Sequence, residues 1–269
     1  RDKWIHAACK EGLKRNHWAR WRNILEKYFA GSRSNDHSLL LSYAVCLRRL
    51  GELIEAEKLV YELIAGAGRS GRFYEQSQAL IEWSVLVRQQ GKFERAEKYL
   101  QQAKRYAERI QDNDLLHAVE FQRAEVLLQQ QSDEALEILL RLSQNVAVLS
   151  LQSEAQLVRG NYEMCRYFAS QALEMGEDSL ATEAKLYTII GRSYEAQHEH
   201  EQMRRYFAMA VTQFERLDDL FSLARSETNL AASLMLDQQF EDAEMLLSRS
   251  ESIQERLGDA LGLSVTQHN

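Results

Sequence analysis

Apolar and small residues recur along this chain with the spacing of one helical face, and the same spacing returns in successive segments. Within each segment they fall at offsets of 0, 3, 7 and 10 residues, which places them on one side of an α-helix. The sets include Leu53, Ala56, Val60 and Leu63, then Phe93, Ala96, Leu100 and Ala103, with later sets beginning at Tyr162, His200 and Phe240. A further set around Ala135 fits if one residue is deleted from the turn before it. The pattern predicts a series of helices that each bury one face.

A partner helix is predicted immediately before each of these helices. Small residues stand twelve positions before the second residue of four sets, at Ala44, Ser84, Gly191 and Ala231. Small residues on both helices allow a close crossing, near the short end of the ~8–10 Å range for packed helices. Turn glycines separate the two helices at Gly51, Gly91 and Gly160. The predicted pairs span residues 38–64, 76–110, 115–143, 147–175, 181–217 and 221–257.

The repeat has a period of about 40 residues. Ala56 and Ala96 are 40 positions apart, and a Glu-Arg-Leu segment followed by an aspartate occurs at 215–219 and again at 255–259. A weaker copy ends at Asp112. An aspartate in this place is suited to cap the next helix by accepting hydrogen bonds from its first free N–H groups. Gly258, just before the last of these aspartates, suits the left-handed turn that ends a helix.

Small residues, turn glycines and small residues at these offsets resemble the tetratricopeptide repeat. The usual unit is ~34 residues long with a proline near its end, whereas this chain has longer units and no proline. The longer unit, with Glu-Arg-Leu-Gly-Asp between pairs, resembles the repeats of MalT-like regulators, other STAND-class signalling ATPases and kinesin light chains. The resemblance covers residues 38–269. It implies an all-α fold, a right-handed α-solenoid of antiparallel helix pairs.

Two regions are predicted along the chain. Residues 1–36 are expected to form an atypical N-terminal helical pair and a polar connector, with candidate buried positions at Trp4, Ala8, Trp18, Trp21, Leu25 and Tyr28. Residues 37–269 are expected to hold about six helix pairs and the first helix of a truncated seventh. The chain begins at Arg1, which favours a piece of a longer polypeptide. Because terminal units of solenoids need polar caps, an exposed apolar C-terminal end is a candidate self-association surface.

Composition narrows the functional classes. The longest apolar runs fall far short of the roughly 18 residues that span a bilayer, so no membrane partner is expected. A net charge of −7 argues against a general nucleic-acid-binding surface. Cys9, Cys46 and Cys165 are odd in number and widely spaced, which fits reduced thiols in a cytoplasmic protein.

Two motifs carry potential chemistry, and both are interpreted as structural. Residues 66–71 spell G-x-G-x-x-G, but they join two helices and lack the strand-to-helix context of a phosphate site, so we interpret them as a flexible connector. His198 and His200 lie in a predicted turn with no cysteine or further histidine nearby in sequence to complete a metal site. The remaining histidines are scattered and suggest no catalytic arrangement. The chain is therefore predicted not to be an enzyme, with no metal and no cofactor.

The resemblance implies a concave groove lined by the first helix of each pair. The groove residues predicted to contact a ligand are Arg48, Arg88, Lys185, Arg192, Arg225 and Asn229. Arginines suit bidentate recognition of carboxylate or phosphate groups, and Asn229 resembles the groove asparagine that pairs with a peptide backbone in kinesin-light-chain-type repeats. The alternative is that these cations pair with neighbouring carboxylates for little energy. The candidate carboxylates are Glu82, Glu125, Glu154, Glu195 and Glu227.

The hypothesis favoured by these observations is a non-catalytic recognition module in a larger signalling or regulatory protein. Its partner is expected to be a protein or peptide segment, acidic in character, or a small effector as in MalT-like transcriptional regulators. A structural adaptor that oligomerises through its C-terminal end is the alternative of a different class.

Overall fold

The computed structural model describes residues 5, 8–9, 18–31, 36–176, 179–217, 219–257 and 260–268. Most of these residues are helical and none of them is in a strand, so the predicted all-α helical repeat fold is confirmed. The helices are α1 (Trp18–Gly31), α2 (His37–Arg49), α3 (Leu53–Arg69), α4 (Phe73–Gln89), α5 (Phe93–Ile110), α6 (Asn113–Gln129), α7 (Glu134–Arg141), α8 (Val146–Val158), α9 (Tyr162–Glu174), α10 (Leu180–Glu195), α11 (His200–Glu215), α12 (Leu220–Leu236), α13 (Phe240–Leu257) and α14 (Ala260–His268).

Six successive pairs run from α2/α3 to α12/α13, and each pair turns on a residue in the left-handed backbone region. These residues are Gly51, Gly91, Gln131, Gly160, His198 and Gln238. In every pair the next residue's N–H donates to the carbonyl five positions earlier, as Glu52 does to Leu47 at 2.9 Å and Glu199 to Tyr194 at 3.0 Å. This bond satisfies a carbonyl that the helix end leaves free. The predicted turn glycines are therefore confirmed, and His198 occupies the same turn position.

Aspartates begin several first helices as predicted. The Asp112 carboxylate accepts a hydrogen bond from the Leu115 N–H at 2.9 Å, and that of Asp219 accepts one from the Ser222 N–H at 3.0 Å. Both cap the free N–H groups of a helix start, so the capping role predicted for them is confirmed. The third copy of this motif, with Gly258 and Asp259, lies outside the described residues.

Small residues sit where the two helices of a pair cross. Ala44 and Ala56 are both fully buried, as are Ala96 and Ala231. At Gly191 the approach is close, because a Cβ built there would lie 2.6 Å from two ring carbons of Phe207. The prediction that small side chains permit this crossing is confirmed.

The chain forms two compact units, unit 1 (Arg1–Ser143) and unit 2 (Gln144–Asn269). In unit 1 the buried Trp21 and Leu25 of α1 pack with Leu39 and Cys46 of α2, as expected for the N-terminal segment. The predicted boundary after residue 36 and the predicted seventh pair stay predictions. Trp4 lies outside the described residues.

The glycine-rich segment is not the flexible connector that the sequence predicts. Gly66 and Gly68 are inside α3, which continues to Arg69, and only Gly71 forms a left-handed turn at φ +64°. The G-x-G-x-x-G pattern gave the wrong prediction because glycine only weakens a helix, and tertiary packing can still keep such a segment helical. At Gly68 the missing side chain leaves room for Gln76, whose Nε2 lies 2.9 Å from where a Cβ would be.

Two further findings concern membranes and thiols. None of the helices in the described residues is long and apolar enough to cross a membrane. Cys9, Cys46 and Cys165 are all free and buried. Burial raises the pKa of the Cys46 thiol to about 12, since the charged thiolate is poorly solvated there. Cys165 is fully buried, in the small-residue packing position predicted for it.

Candidate functional site

A cavity of about 590 Å³ opens in unit 2, and we call it the unit 2 cavity. The first helices α8, α10 and α12 supply most of its lining, with contributions from α11, α13 and α14. The lining residues are Glu154, Lys185, Thr188, Ile189, Arg192, Phe214, Phe221, Ser222, Arg225, Ser226, Thr228, Asn229, Gln254 and Val265. Four of the six residues predicted to contact a ligand are among them, namely Lys185, Arg192, Arg225 and Asn229.

The lining of this cavity is cationic in an otherwise acidic protein. It carries three positive side chains and one carboxylate, so its formal charge is 3 − 1 = +2, against −7 for the whole chain. Lys185 lies 3.1 Å from that carboxylate, on Glu154. Arg192 and Arg225 are exposed, and within the described residues neither guanidinium donates a hydrogen bond or forms an ion pair. Two guanidinium groups therefore remain available to an anionic group.

Apolar side chains form the other part of the wall. Phe214 and Ile189 are buried, whereas Phe221 and Val265 are 45% and 51% exposed. The Arg225 guanidinium lies 5.6 Å from the centroid of the Phe221 ring, within the ~6 Å reach of a cation–π contact. A ligand here meets apolar surface and positive charge side by side.

The floor of the cavity is polar and buried. Gln254 is only 1% exposed, and its Oε1 accepts a hydrogen bond from the Thr266 hydroxyl at 2.8 Å. Thr266 also lies 2.9 Å from the Thr228 hydroxyl, which lies 2.8 Å from that of Ser250. The Gln254 Nε2 atom has no hydrogen-bond partner among the described residues. A buried amide donor is thus left unpaired at the cavity.

Sequence reasoning missed Gln254, although a signal for it exists. Fourteen positions after the start of a second helix, other pairs have Ala67, Ala107 and Phe214, all buried. Gln254 holds the same position in α13. A polar residue in a position that is apolar in three other pairs is unusual, because burial of an amide is costly unless it is hydrogen-bonded.

The other two predicted residues lie in unit 1 and are held in ion pairs. Arg48 Nε donates to Glu82, and both side chains are nearly buried. Arg88 donates to Glu125 at 2.9 Å, with 13% of the arginine side chain exposed. For these two residues the structure shows the pairing that the sequence left as the alternative. Contact of either residue with a ligand stays a prediction.

Glu227 was a candidate partner for the groove arginines, and its place in the structure is different. It is fully buried, with one carboxylate oxygen 3.0 Å from Arg249 of α13, which also pairs with Glu215 at 2.9 Å. Burial raises the pKa of Glu227 to about 7, although Arg249 acts in the opposite direction. The free-energy cost of burying the charged carboxylate therefore exceeds the stabilisation that it gains from the Arg249 guanidinium.

His198 forms the turn between α10 and α11. His198 has a φ of 58°, and its ring centroid lies 6.4 Å from that of His200. The interpretation of His198 as a turn residue is confirmed. Among the described residues there is no group of three or more His, Cys, Asp or Glu side chains that could hold a metal ion.

Comparison with known proteins identifies the fold. No protein-family model matches the sequence, and no curated protein is significantly similar to it. Solved structures with the same fold include a chain of the APC/C hetero-tetramer Cut9–Hcn1, at a TM-score of 0.72 and 11% identity over 98% of this chain and 48% of that one. This chain therefore spans about half the length of that relative.

Two further structures cover more of their own length. One is a tetratricopeptide repeat protein from Parabacteroides merdae, at a TM-score of 0.55 and 16% identity over 98% of both chains. The other is NprR in complex with its cognate peptide NprX, at a TM-score of 0.64 and 12% identity over 95% of this chain and 82% of that one. Identities this low show the fold alone. The chain has the tetratricopeptide-type helical repeat fold, as the spacing of its small residues predicts.

Proposed function

We propose that this chain is a non-catalytic recognition module, and that the unit 2 cavity binds an extended segment of a partner protein that carries an acidic side chain. The observation that carries the proposal is the pair of exposed guanidinium groups, Arg192 and Arg225, which form no hydrogen bond or ion pair within the described residues and lie beside an apolar wall. Arginine donates bidentate hydrogen bonds to a carboxylate, and such charge-assisted bonds are about twice as strong as neutral ones.

Other side chains of the cavity suit a peptide rather than an isolated anion. Asn229 is half-buried on the same helix as Arg225, and its amide can donate and accept at once, as an extended peptide backbone requires. Phe221 and Val265 offer apolar surface to a neighbouring side chain of the ligand. That NprR, which has the same fold, was solved with a cognate peptide supports the choice of a peptide ligand.

The module is proposed to act within a larger signalling or regulatory protein, as its resemblance to MalT-like repeats implies. In a helical repeat protein each helix pair contacts the pairs next to it along the chain. A ligand that binds one arrangement of the repeats better than another shifts the population toward that arrangement. Capture of the acidic segment would in this way change how the module contacts the domains beside it.

The proposal is tested with a positional-scanning library of hexapeptides, acetylated and amidated at their ends, measured by fluorescence polarisation. Mixtures that fix Asp or Glu are expected to bind more tightly than those that fix Asn or Gln. Arg192→Gln and Arg225→Gln are each expected to weaken binding of the acidic mixtures about tenfold, the usual loss for a charge-assisted hydrogen bond.

Arg205→Gln is the matched control, because Arg205 is exposed on α11 and does not line the cavity. It should leave affinity unchanged. The proposal is wrong if no mixture binds, or if the Arg192 and Arg225 double variant is folded and binds the acidic mixtures as the unmodified protein does.

A further inference from the structure

The second helix of the last pair, α13, has buried polar residues at positions that are apolar in the second helices of several other pairs. Ten positions after the start of a second helix, the buried residues elsewhere are Leu63, Ala103, Ala172 and Ala210. In α13 this position is Ser250, and the next position on the same face is Gln254. Both are buried, at 0% and 1% exposure. Replacing apolar packing with hydroxyl and amide groups costs stability unless every group is paired.

Most of the polar groups of Ser250 and Gln254 are hydrogen-bonded, and one of their partners lies on α14. The Ser250 hydroxyl donates to the Ala224 carbonyl at 2.8 Å. The Thr266 hydroxyl of α14 donates to Gln254 Oε1 at 2.8 Å. In the structure the Gln254 carboxamide oxygen faces Thr266, which leaves the NH₂ group as its remaining polar end. That group is buried, has no partner within the described part of the chain, and belongs to a residue that lines the unit 2 cavity.

A buried donor that no protein group satisfies is unfavourable until an acceptor reaches it. Leaving such a group unsatisfied is more costly than the net gain from an ordinary hydrogen bond, and native proteins pair the large majority of buried polar atoms. A site with an unfilled buried donor discriminates strongly against ligands that cannot accept a hydrogen bond. The cations Lys185, Arg192 and Arg225 around it select an anionic acceptor and disfavour an ammonium group.

We infer that the Gln254 amide is the specificity-determining donor for the ligand's carboxylate, and that Thr266 is the positioning residue that turns this amide toward the unit 2 cavity. The inference rests on the proposed function, since it assigns one subsite within the same cavity. In the complex the carboxylate accepts from Gln254 Nε2 at the floor and from the guanidinium groups at the wall.

The test uses the same hexapeptide mixtures with four variants. Thr266→Val removes the hydroxyl and keeps the shape, Thr266→Ser keeps the hydroxyl, and Gln254→Met removes the donor. Thr212→Val is the matched control, because Thr212 is exposed on α11 and bonds only within its own helix among the described residues. The measured quantity is the ratio of affinities for Glu-fixed and Met-fixed mixtures.

Gln254→Met is expected to lower this ratio about tenfold or more, as for a hydrogen bond to a charged group, and Thr266→Val to lower it by a similar factor. Thr266→Ser should restore the ratio, and Thr212→Val should not change it. A second readout follows the Gln254 side-chain NH₂ signals in ¹⁵N–¹H spectra, identified by their absence from Gln254→Met. They should shift with the Glu-fixed mixture while those of Gln171, which does not line the cavity, remain in place.

Three results would overturn the inference. An acidic preference that survives in both Gln254→Met and Thr266→Val removes the subsite but leaves peptide binding by the cavity intact. A Thr266→Val variant that weakens acidic and neutral mixtures equally assigns Thr266 a purely structural role. Failure of every mixture to bind the unmodified protein rejects the proposed function, and the subsite with it.

Discussion

Replacement of Glu227 by glutamine is expected to change how the stability of unit 2 depends on pH. Glu227 is fully buried on α12, and the charged groups that face it are Arg249 of α13 and Glu215 of α11. Burial raises the pKa of its carboxyl from the ordinary value of 4.5 to about 7. A pKa rise of that size corresponds to about 3 kcal/mol of free energy of unfolding.

The sign follows from which state holds the proton. Between pH 4.5 and about 7 the folded protein keeps Glu227 protonated while the unfolded chain has released its proton. Stability therefore falls as pH rises through this interval, and the loss is complete above the pKa of the folded state. Glutamine cannot ionise, so Glu227→Gln should lack this loss and should be more stable than the unmodified protein by up to about 3 kcal/mol above about pH 8.

Urea unfolding followed by circular dichroism, at several pH values from about 5 to about 8.5, measures the difference between the two proteins. Glu241→Gln is the control, because Glu241 is exposed at the start of α13. If the curves of Glu227→Gln and the unmodified protein stay parallel over this range, burial does not hold the Glu227 proton and the reasoning fails.

Further substitutions test the turns, crossings and ion pairs, each by its urea or thermal midpoint. Gly191→Ala places a methyl group against the Phe207 ring and should destabilise the fold by roughly 1–3 kcal/mol. Gly66 is also helical but has open space around it, so Gly66→Ala should stabilise the fold by roughly 0.5–1 kcal/mol. Similar shifts for both variants would contradict the close crossing at Gly191. His198→Gly should gain roughly 1 kcal/mol by relieving the left-handed backbone, and a loss would argue against that turn. Arg48→Met leaves its nearly buried carboxylate partner unpaired and should cost roughly 3–5 kcal/mol; an unchanged midpoint would show that the pair contributes nothing.

The fold could be predicted because its signals are local. Turn glycines, capping aspartates such as Asp219 and small residues such as Ala56 each act within one helix pair, so their spacing alone indicates the pair. The exception is the segment 66–71, where tertiary packing keeps two glycines helical against their intrinsic preference. Local preference decides an element only where packing does not oppose it.

The candidate site could be predicted only in part. The resemblance to tetratricopeptide arrays implied that Lys185, Arg192, Arg225 and Asn229 line one groove, and all four line the unit 2 cavity. The same reasoning ranked Arg48 equally, but this residue is held in an ion pair. Arg48 and Arg192 are both arginines of first helices that were expected to line the groove. They differ in what faces them from another helix, because Arg48 meets Glu82, whereas Arg192 meets no carboxylate within the described residues.

The sequence by itself determined the helix pairs, the spacing of about 40 residues between most of their turns and several of the residues that begin, turn and cross them, because these depend on contacts between near neighbours along the chain. Only the tertiary structure decided which cations remain available and that the amide of Gln254 lies unpaired at the floor of a cavity. The physical reason is distance along the chain: Arg48 meets a carboxylate 34 residues away, and Thr228 meets Thr266 38 residues away. Pairing across such separations depends on how helices pack, and no local pattern encodes it.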